Sequence, residues 1–347
     1  MTENAVAPVL HIILPCYNEE EVLPNSVDRL LALLKEWIAS QLVDGESRIV
    51  MVNDGSRDRT WEIIQSLWLS EPLCSGLTLS RNRGHQNAVL AGLFASAPFA
   101  DCIVTIDADL QDDPRVIADM VHAFRNGAEI VYGVRSKRET DSRFKRGTAR
   151  AFYRLMKSLG AETIEDHADF RLMSRRAVNA LGEFKEVNLF LRGLIPMLGF
   201  KTEIVYYERA PRSAGESKYP LKKMLALAWN GITGLSTRPI RLITILGFSI
   251  SLVSLGVMIY TLIRYATGQT VVGWTSTTIS VWFIGGLILM ALGIIGEYIG
   301  KIYLETKARP RYFIETILPP HASLDERRDW QTGKEQIPFP GFKPESE

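Results

Sequence analysis

The chain has 347 residues, and its 40 basic and 39 acidic side chains leave a formal net charge of +1. This length allows one large domain and a further segment, and the balanced charge argues against a nucleic-acid partner. The three cysteines, Cys16, Cys74 and Cys102, lie far apart and outside any zinc spacing, so we expect small apolar fillers in a reducing compartment. The first residues lack a basic stretch followed by an apolar one, so no signal peptide is expected.

Apolar runs alternate with helical patterns along the N-terminal part of the chain. The predicted strands are 10–15, 48–52, 77–80, 102–106 and 130–132, and the predicted helices are 22–37, 60–68 and one ending near residue 95. Strands that alternate with helices imply right-handed crossovers. The pattern therefore predicts an α/β fold with a mostly parallel sheet.

Polar residues follow each of the first four predicted strands. They are Tyr17, Asn18 and Glu19, then Asn53 and Asp54, then 81–87, then the cluster that begins at Asp107. In a parallel sheet these exits share the carboxyl edge, where ligands bind. Neither a Gly-x-Gly-x-x-Gly turn nor a Walker loop follows the first strand, which argues against NAD-binding and P-loop proteins. Asp54 is placed to accept hydrogen bonds from a base or ribose, and Tyr17 to pack on the base; the alternative for 53–56 is a plain turn.

The fourth exit offers three hard oxygen donors in a short space. Asp107, Asp109 and Gln111 follow the buried run 102–106 directly. Such ligands suit Mg²⁺ or Mn²⁺, which usually keeps phosphate oxygens as further partners. Asp113 is predicted to cap the next helix, with Pro114 in its first position. The alternative is a strand followed by a cluster of capping aspartates.

Four segments, 15–19, 53–56, 81–84 and 107–111, resemble the family 2 glycosyltransferases with the GT-A fold, in particular the dolichyl- or undecaprenyl-phosphate sugar synthases. The resemblance implies a Rossmann-like catalytic domain. It also implies that Asp107, Asp109 and Gln111 hold the divalent ion on a sugar-nucleotide diphosphate. The residues that it assigns to the nucleotide sugar are Pro15, Tyr17, Asn18, Glu19, Asp54, Asp107 and Ala108.

The segment 166–172 resembles the acceptor side of these enzymes. Asp169 is the candidate catalytic base or acceptor-orienting carboxylate, Asp166 is its rival, and Arg171 is a candidate for the acceptor phosphate. A phosphate monoester has a second pKa of about 6, so its oxygen is already a nucleophile and needs a base less than a sugar hydroxyl does. The alternative for Asp169 and Arg171 is a structural ion pair.

Three further basic residues are assigned to phosphate. Arg135 follows the fifth strand, and Arg212 and Lys218 lie in 208–219, which resembles the family's Arg-x-x-Gly-x-Ser-Lys segment. That loop is predicted to close on the bound donor and exclude water; the alternative is a solvated surface loop. The basic segment 143–157 either rests on an anionic membrane face or is a solvated helix over the domain.

Two uncharged apolar runs, 242–263 and 275–296, are each long enough to cross roughly 30 Å of hydrocarbon. The alternative is two buried core helices. Lysines and arginines flank the pair, while its connecting loop holds only Arg264. The positive-inside rule then places both ends of the hairpin and the catalytic domain in the cytoplasm. The predicted division is a catalytic domain (1–219), an amphipathic juxtamembrane segment (220–238), a transmembrane hairpin (239–303, spans about 242–263 and 275–297) and a cytoplasmic C-terminal tail (304–347).

The resemblance extends to the subgroup typified by undecaprenyl-phosphate glucosyltransferases. It implies inverting transfer of a hexose, with UDP-glucose as the first choice, to a polyprenyl phosphate at the bacterial inner membrane. It also implies a homo-oligomer, for example a tetramer. The alternatives are GDP-mannose or a UDP-aminosugar as donor, a processive polysaccharide synthase, and a non-catalytic subunit of a lipid-carrier system. The Gln-x-x-Arg-Trp motif of the processive synthases does not occur.

Overall fold

The computed structural model describes residues 6–135, 167–186, 191–207, 238–267 and 274–319. Its strands are Leu10–Cys16 (β1), Arg48–Asn53 (β2), Cys74–Leu79 (β3), Cys102–Thr105 (β4), Ile130–Arg135 (β5), His167–Ser174 (β6), Thr202–Tyr207 (β7) and Ile314–Leu318 (β8). Its helices are Leu23–Ala39 (α1), Thr60–Ser70 (α2), His85–Ser96 (α3), Val116–Arg125 (α4), Arg175–Gly182 (α5), Leu191–Met197 (α6), Arg238–Ala266 (α7) and Trp274–Thr306 (α8).

All eight strands form one sheet in the order β7-β5-β6-β4-β1-β2-β3-β8. The four strands β4, β1, β2 and β3 run parallel to one another, and β7 runs parallel to β5. β6 is antiparallel to both of its neighbours, and β8 is antiparallel to β3 at the edge. The predicted α/β fold with a mostly parallel sheet is confirmed.

Burial on both faces explains why the central strands are continuous apolar runs. Every residue of β1, β2, β3 and β4 is buried. On one face α1 packs through Leu23, Val27, Leu30 and Leu34, a helical spacing of three and four residues. Each such leucine contributes about 1.5–3 kcal/mol when fully buried. The three cysteines are free and buried, as predicted.

Helix α3 approaches the sheet unusually closely. A Cβ at Gly92 would lie 2.5 Å from Ile13 Cγ2 and 2.9 Å from Val52 Cγ2. The absence of a side chain at Gly92 therefore lets α3 lie directly on β1 and β2. This contact sets the height of α3 on the sheet, so that its first residue, His85, is held at the carboxyl edge.

Several boundaries differ from the sequence prediction. β4 ends at Thr105 instead of residue 106, and α4 begins at Val116, two residues after Pro114. Asp113 does receive the backbone N–H of Arg115 at 3.1 Å, so it caps a turn that precedes the helix. The strands β6 and β7 were not predicted.

The C-terminal segment contributes a strand to the sheet. The sequence pattern predicts a tail over 304–347, but β8 pairs with β3 and Leu318 is fully buried in the core. The Ser75 hydroxyl donates to the Leu318 carbonyl at 2.8 Å, and Trp68 Nε1 donates to the Pro319 carbonyl at 3.1 Å. A five-residue edge strand whose partner is far away in the sequence leaves little local signal.

The described residues form two compact units. The first contains 6–135, 167–207 apart from 187–190, and 310–319, and the second contains 238–267 and 274–309. Both predicted apolar runs are helical, in α7 and α8. Within the described part, the stretch Phe283–Thr306 is long and apolar enough to cross a membrane, with a mean hydropathy of 1.9 and none of it buried. A two-helix hairpin remains a prediction. The segment 143–157 and all of 220–238 except Arg238 lie outside the described residues.

Candidate active site

The first two strand exits interlock through hydrogen bonds between side chains and backbone. The N–H of Asn18 donates to Ser56 Oγ at 3.0 Å, and the N–H of Arg57 donates to Asn18 Oδ1 at 2.9 Å. The N–H of Glu19 donates to Thr60 Oγ1 at 2.9 Å. Asn18 also has a positive φ of 56°, a conformation that asparagine tolerates well. Asn18 therefore joins two loops at the carboxyl edge.

A surface cleft of about 490 Å³ lies beside this interlock. It is lined by Asn18, Glu19, Glu20, Glu21, Val22, Arg57 and Asp58. The lining contains two predicted nucleotide-sugar residues, Asn18 and Glu19, but not the carboxylates of the β4 exit. Burial raises the pKa of Glu19, and the negative charges of Asp109 and Asp107 raise it further.

Asp54 links the second strand exit to the third. It is 3% exposed, and its two carboxylate oxygens accept the backbone N–H groups of Arg83 at 2.7 Å and Gly84 at 2.9 Å. Burial raises the pKa of Asp54, while these two N–H groups act in the opposite direction. A Cβ at Gly55 would lie 2.5 Å from the nitrogen of Asn82, so the two loops are also in close contact. Asp54 thus shapes the loop before α3, and its contact with a nucleoside stays a prediction.

The remaining predicted nucleotide-sugar residues differ in burial. Pro15 and Ala108 are buried, whereas Tyr17 is 42% exposed at the edge of the sheet. Tyr17 is therefore accessible for stacking on a base. The backbone of Arg135 ends β5 opposite Tyr207. The side chain of Arg135 and the residues Asp166, Arg212 and Lys218 lie outside what the structure describes.

The predicted metal ligands share one turn after β4. The N–H of Leu110 donates to the Asp107 carbonyl at 3.1 Å, and Leu110 itself has a φ of 44°. Gln111 directs its amide nitrogen at the Asp109 carboxylate. Coordination through Gln111 Oε1 would therefore require the amide to rotate. No group of three or more His, Cys, Asp or Glu side chains among the described residues has a metal-binding arrangement.

Electrostatics at Asp107 nevertheless suits a divalent cation. Half of its side chain is exposed, but protein atoms crowd the other side. This burial raises the pKa of Asp107; His85 opposes the rise, and the carboxylates of Asp169, Asp109 and Asp112 add to it. A cation at this point would relieve the repulsion among the carboxylates, and oxygen donors are the ligands that Mg²⁺ and Mn²⁺ prefer.

His85 connects the fourth exit with β6. Its Nε2 lies 3.8 Å from Asp107 Oδ1 and 3.6 Å from Asp169 Oδ2. Burial lowers the pKa of His85, but the interactions with Asp169 and Asp107 outweigh burial and raise it. The sequence places His85 within the polar run 81–87, and no role was predicted for it. The position of His85 in the sequence could have indicated a role, because the first residue of a helix that follows a parallel strand lies at the same edge of the sheet as the other strand exits.

Asp169 is surrounded by cationic side chains. Arg171 Nη2 donates to its Oδ1, while Arg192 on α6 reaches Oδ1 at 3.3 Å through Nε and Oδ2 at 3.2 Å through Nη2. Burial alone would raise the pKa of Asp169, but His85, Arg171 and Arg192 hold it well below its usual range. Thr105 Oγ1 also donates to the Asp169 carbonyl at 2.6 Å, which aligns β6 with β4.

Arg171 lies beneath Asp169 and not at the surface. Its side chain is 2% exposed, whereas that of Asp169 is 22% exposed. A guanidinium so deeply buried cannot contact a lipid phosphate in this conformation. The ion pair with Asp169, which the sequence left open as the alternative, is present.

Known proteins share this sequence over most of its length. Residues 11–182 match glycosyl transferase family 2. The chain is 50% identical over 308 residues to the uncharacterized glycosyltransferase YkoT of Bacillus subtilis (strain 168), covering 89% of this chain and 91% of that protein. The chain belongs to glycosyl transferase family 2. It is therefore a glycosyltransferase, as the four strand-exit motifs predicted.

Two further proteins are similar to this family 2 member. The chain is 39% identical over 309 residues to the bactoprenol glucosyl transferase of Shigella phage SfX, covering 88% of this chain and 99% of that protein. Among solved structures it is similar to mannosyl-3-phosphoglycerate synthase from Rubrobacter xylanophilus, at 17% identity and a TM-score of 0.45 over 67% of this chain and 74% of that one. The family match contains Asp107 and Asp169 but ends before Arg192.

Proposed function

We propose that this glycosyltransferase moves a hexose, with UDP-glucose as the favoured donor, to the phosphate of a polyprenyl phosphate with inversion. One observation carries the proposal: Asp107, on the donor side, and Asp169, on the acceptor side, both lie within 4 Å of His85 Nε2. The similarity to a bactoprenol glucosyl transferase over nearly its whole length supports a lipid acceptor and glucose.

The donor is held at the carboxyl edge of β1, β2 and β4. Tyr17 stacks on the base, and Asp54 supports the loop that closes the nucleoside site. Asp107, Asp109 and Gln111 would hold Mg²⁺ or Mn²⁺, which when bound neutralises charge on the departing diphosphate. Arg135, Arg212 and Lys218 contribute further positive charge to that diphosphate.

On the acceptor side, Asp169 orients groups and does not remove a proton. A carboxylate whose pKa is held well below its usual range is a weak base near neutral pH. The acceptor phosphate needs little deprotonation, because its second pKa is about 6. Its oxygen attacks the anomeric carbon on the face opposite the diphosphate, and fixing the lipid head group beside the donor supplies proximity. Asp166 remains the rival for any base.

The membrane part of the proposal is a two-span hairpin with its catalytic unit and both ends in the cytoplasm, in a bacterial inner membrane. The exposed apolar stretch in α8 supports at least one span. The basic and amphipathic sequence patterns of 143–157 and 220–238 support a place for both segments at the membrane interface. A homo-oligomer, for example a tetramer, belongs to the same proposal.

A donor screen tests the reaction. Purified full-length protein in detergent receives undecaprenyl phosphate, Mn²⁺ or Mg²⁺, and one labelled donor at a time: UDP-glucose, UDP-N-acetylglucosamine, UDP-galactose or GDP-mannose. We expect label in the organic phase from UDP-glucose alone and none after EDTA treatment. Label from GDP-mannose or from the UDP-aminosugar would identify that compound as the donor in place of UDP-glucose. Donor binding without label from any donor would favour a non-catalytic role.

A further inference from the structure

Two arginines contact Asp169, but they differ sharply in access. The Arg171 side chain is 2% exposed, whereas that of Arg192 is 39% exposed. Arg171 donates to Oδ1 of the carboxylate from below, while Arg192 places its planar fork across both oxygens. Arg171 is thus the fixed counter-charge of Asp169, and Arg192 is the arginine at the surface of the site.

We propose that Arg192 binds the phosphate of the acceptor, the role that the sequence suggested for Arg171. The inference rests on the proposed function and names the group that recognises its lipid substrate. A guanidinium fork matches the geometry of phosphate oxygens as well as that of a carboxylate. Arg192 can therefore exchange one anion for the other without losing its paired hydrogen bonds.

The surroundings of Asp169 make that exchange electrostatically inexpensive. When Arg192 turns to a phosphate, the buried guanidinium of Arg171 still neutralises the carboxylate. An aspartate left without a counter-charge in this partly buried position would oppose the movement, because an unpaired charge is costly away from water. Asp169 thereby acts as a positioning residue that holds Arg192 ready in the absence of substrate.

The backbone that carries Arg192 is firmly anchored. Its neighbours in α6, Leu191, Leu194 and Ile195, are each at most 2% exposed. The N–H of Leu191 donates to Gln86 Oε1 at 3.3 Å, which ties α6 to the residue that follows His85. The helix stays in place while the long side chain of Arg192 moves, so the phosphate is delivered beside His85 and Asp107.

A binding experiment tests this role without requiring turnover. Geranyl phosphate, a short prenyl phosphate, is titrated into the full-length protein in detergent, with geraniol and UDP as separate ligands. We expect R192Q to weaken geranyl phosphate binding about 10- to 100-fold, the range of a lost charge-assisted interaction. R192K should lose less, and the affinities for geraniol and UDP should not change.

Arg175 offers a matched control. It pairs with Asp101 at 3.1 Å and its side chain is 44% exposed, so R175Q removes a similar surface pair away from the site. We expect R175Q to bind geranyl phosphate as the wild type does. Wild-type protein that fails to bind geranyl phosphate, equal weakening by R192Q and R175Q, or equal loss of geraniol binding would overturn the proposal.

Steady-state kinetics separates this inference from the proposed function. In R192Q the KM for undecaprenyl phosphate should rise at least about tenfold, with the KM for UDP-glucose unchanged. A rise confined to the donor KM would refute the role of Arg192. If the wild type transfers no sugar but binds geranyl phosphate in an Arg192-dependent manner, the inference stands and the proposed transfer is wrong.

Discussion

At the scale of single residues, charge is distributed unevenly across the site. Burial raises the pKa of Asp107, and the nearby carboxylates of Asp169, Asp109 and Asp112 raise it further against the opposing effect of His85. The Asp169 side carries two arginines, which help to hold its pKa low. The carboxylates therefore favour a cation on one side, and the arginines favour an anion on the other. This asymmetry matches a metal-bound diphosphate donor and a phosphate acceptor.

The first prediction concerns the proposed metal ligands. We expect Asp107→Ala and Asp109→Ala each to lower metal-dependent transfer by about 100-fold or more, since loss of a group that merely supports a metal ligand already costs about 10- to 100-fold. Both side chains are exposed, so the unfolding temperature should change little. Transfer measured across a Mn²⁺ titration provides the test, with Asp119→Asn on α4 as control. Full activity in either alanine variant would exclude the metal assignment.

At the scale of elements, the site is a set of loops that hold one another. The β1 and β2 exits are joined through Asn18 and Ser56, and the β2 and β3 exits through Asp54 and Gly84. Because parallel strands bring all their exits to one edge, short polar side chains can reach the backbone of the neighbouring loop. Damage to one joint is therefore expected to disturb ligand binding as well as stability.

Gly55 lies at the contact between the β2 and β3 exits, where the two loops are tightly packed. Its φ of +63° and the distance of 2.5 Å that would separate an added Cβ from the Asn82 nitrogen leave no room for a side chain. Gly55→Ala should cost about 1–3 kcal/mol of stability, because a left-handed conformation is strained and the obstructing atoms are backbone. We expect a higher KM for the donor as well. Gly45→Ala, where nothing lies within 4 Å, is the control; equal effects of the two changes would contradict the prediction.

Asp58 should make the contact between the β1 and β2 exits sensitive to acid. Burial raises the pKa of Asp58, but the hydrogen bonds from Thr60 and from the N–H of Glu20 together outweigh burial and lower it overall. A depressed pKa contributes stability above the unfolded value of about 3.9, and that contribution is lost as the pH falls through the folded value. Asp58→Asn should therefore be less stable than wild type at pH 7, by about 1 kcal/mol or less.

Thermal unfolding measured from pH 7 to pH 3 tests the sign of this effect. The difference between wild type and Asp58→Asn should shrink below about pH 4, where the carboxylate takes up a proton. A difference that stays constant over this range would show that the charge of Asp58 contributes nothing to the joint.

At the scale of the whole molecule, the chain leaves the sheet after β7, forms α7 and α8, and returns to complete the sheet with β8. Leu318 is fully buried at the end of that strand. The catalytic sheet is consequently incomplete until the helical unit has been synthesised. Residues that follow the apolar helices thus belong to the catalytic core.

Leu318→Ala should reveal this dependence. Truncating a fully buried leucine typically costs about 2–5 kcal/mol, through lost transfer free energy and the cavity left behind. We expect a lower unfolding temperature of the full-length protein in detergent and a matching loss of activity. Glu315→Ala, at the exposed position of the same strand, should be close to neutral. Wild-type stability in Leu318→Ala would mean that β8 does not support the core in solution.

Local patterns in the sequence determined the central strands, the order of their exits, the Asp107 and Asp109 pair and the apolar helices. Each of these depends on residues close together in the chain, where periodicity and turn chemistry act. Tertiary structure alone decided the antiparallel insertion of β6, the return of β8, the place of His85 between two carboxylates, and which arginine is exposed. Burial and strand pairing depend on residues that are distant in the sequence. The sequence therefore does not distinguish Arg171 from Arg192, whose exposure differs only in the folded sheet.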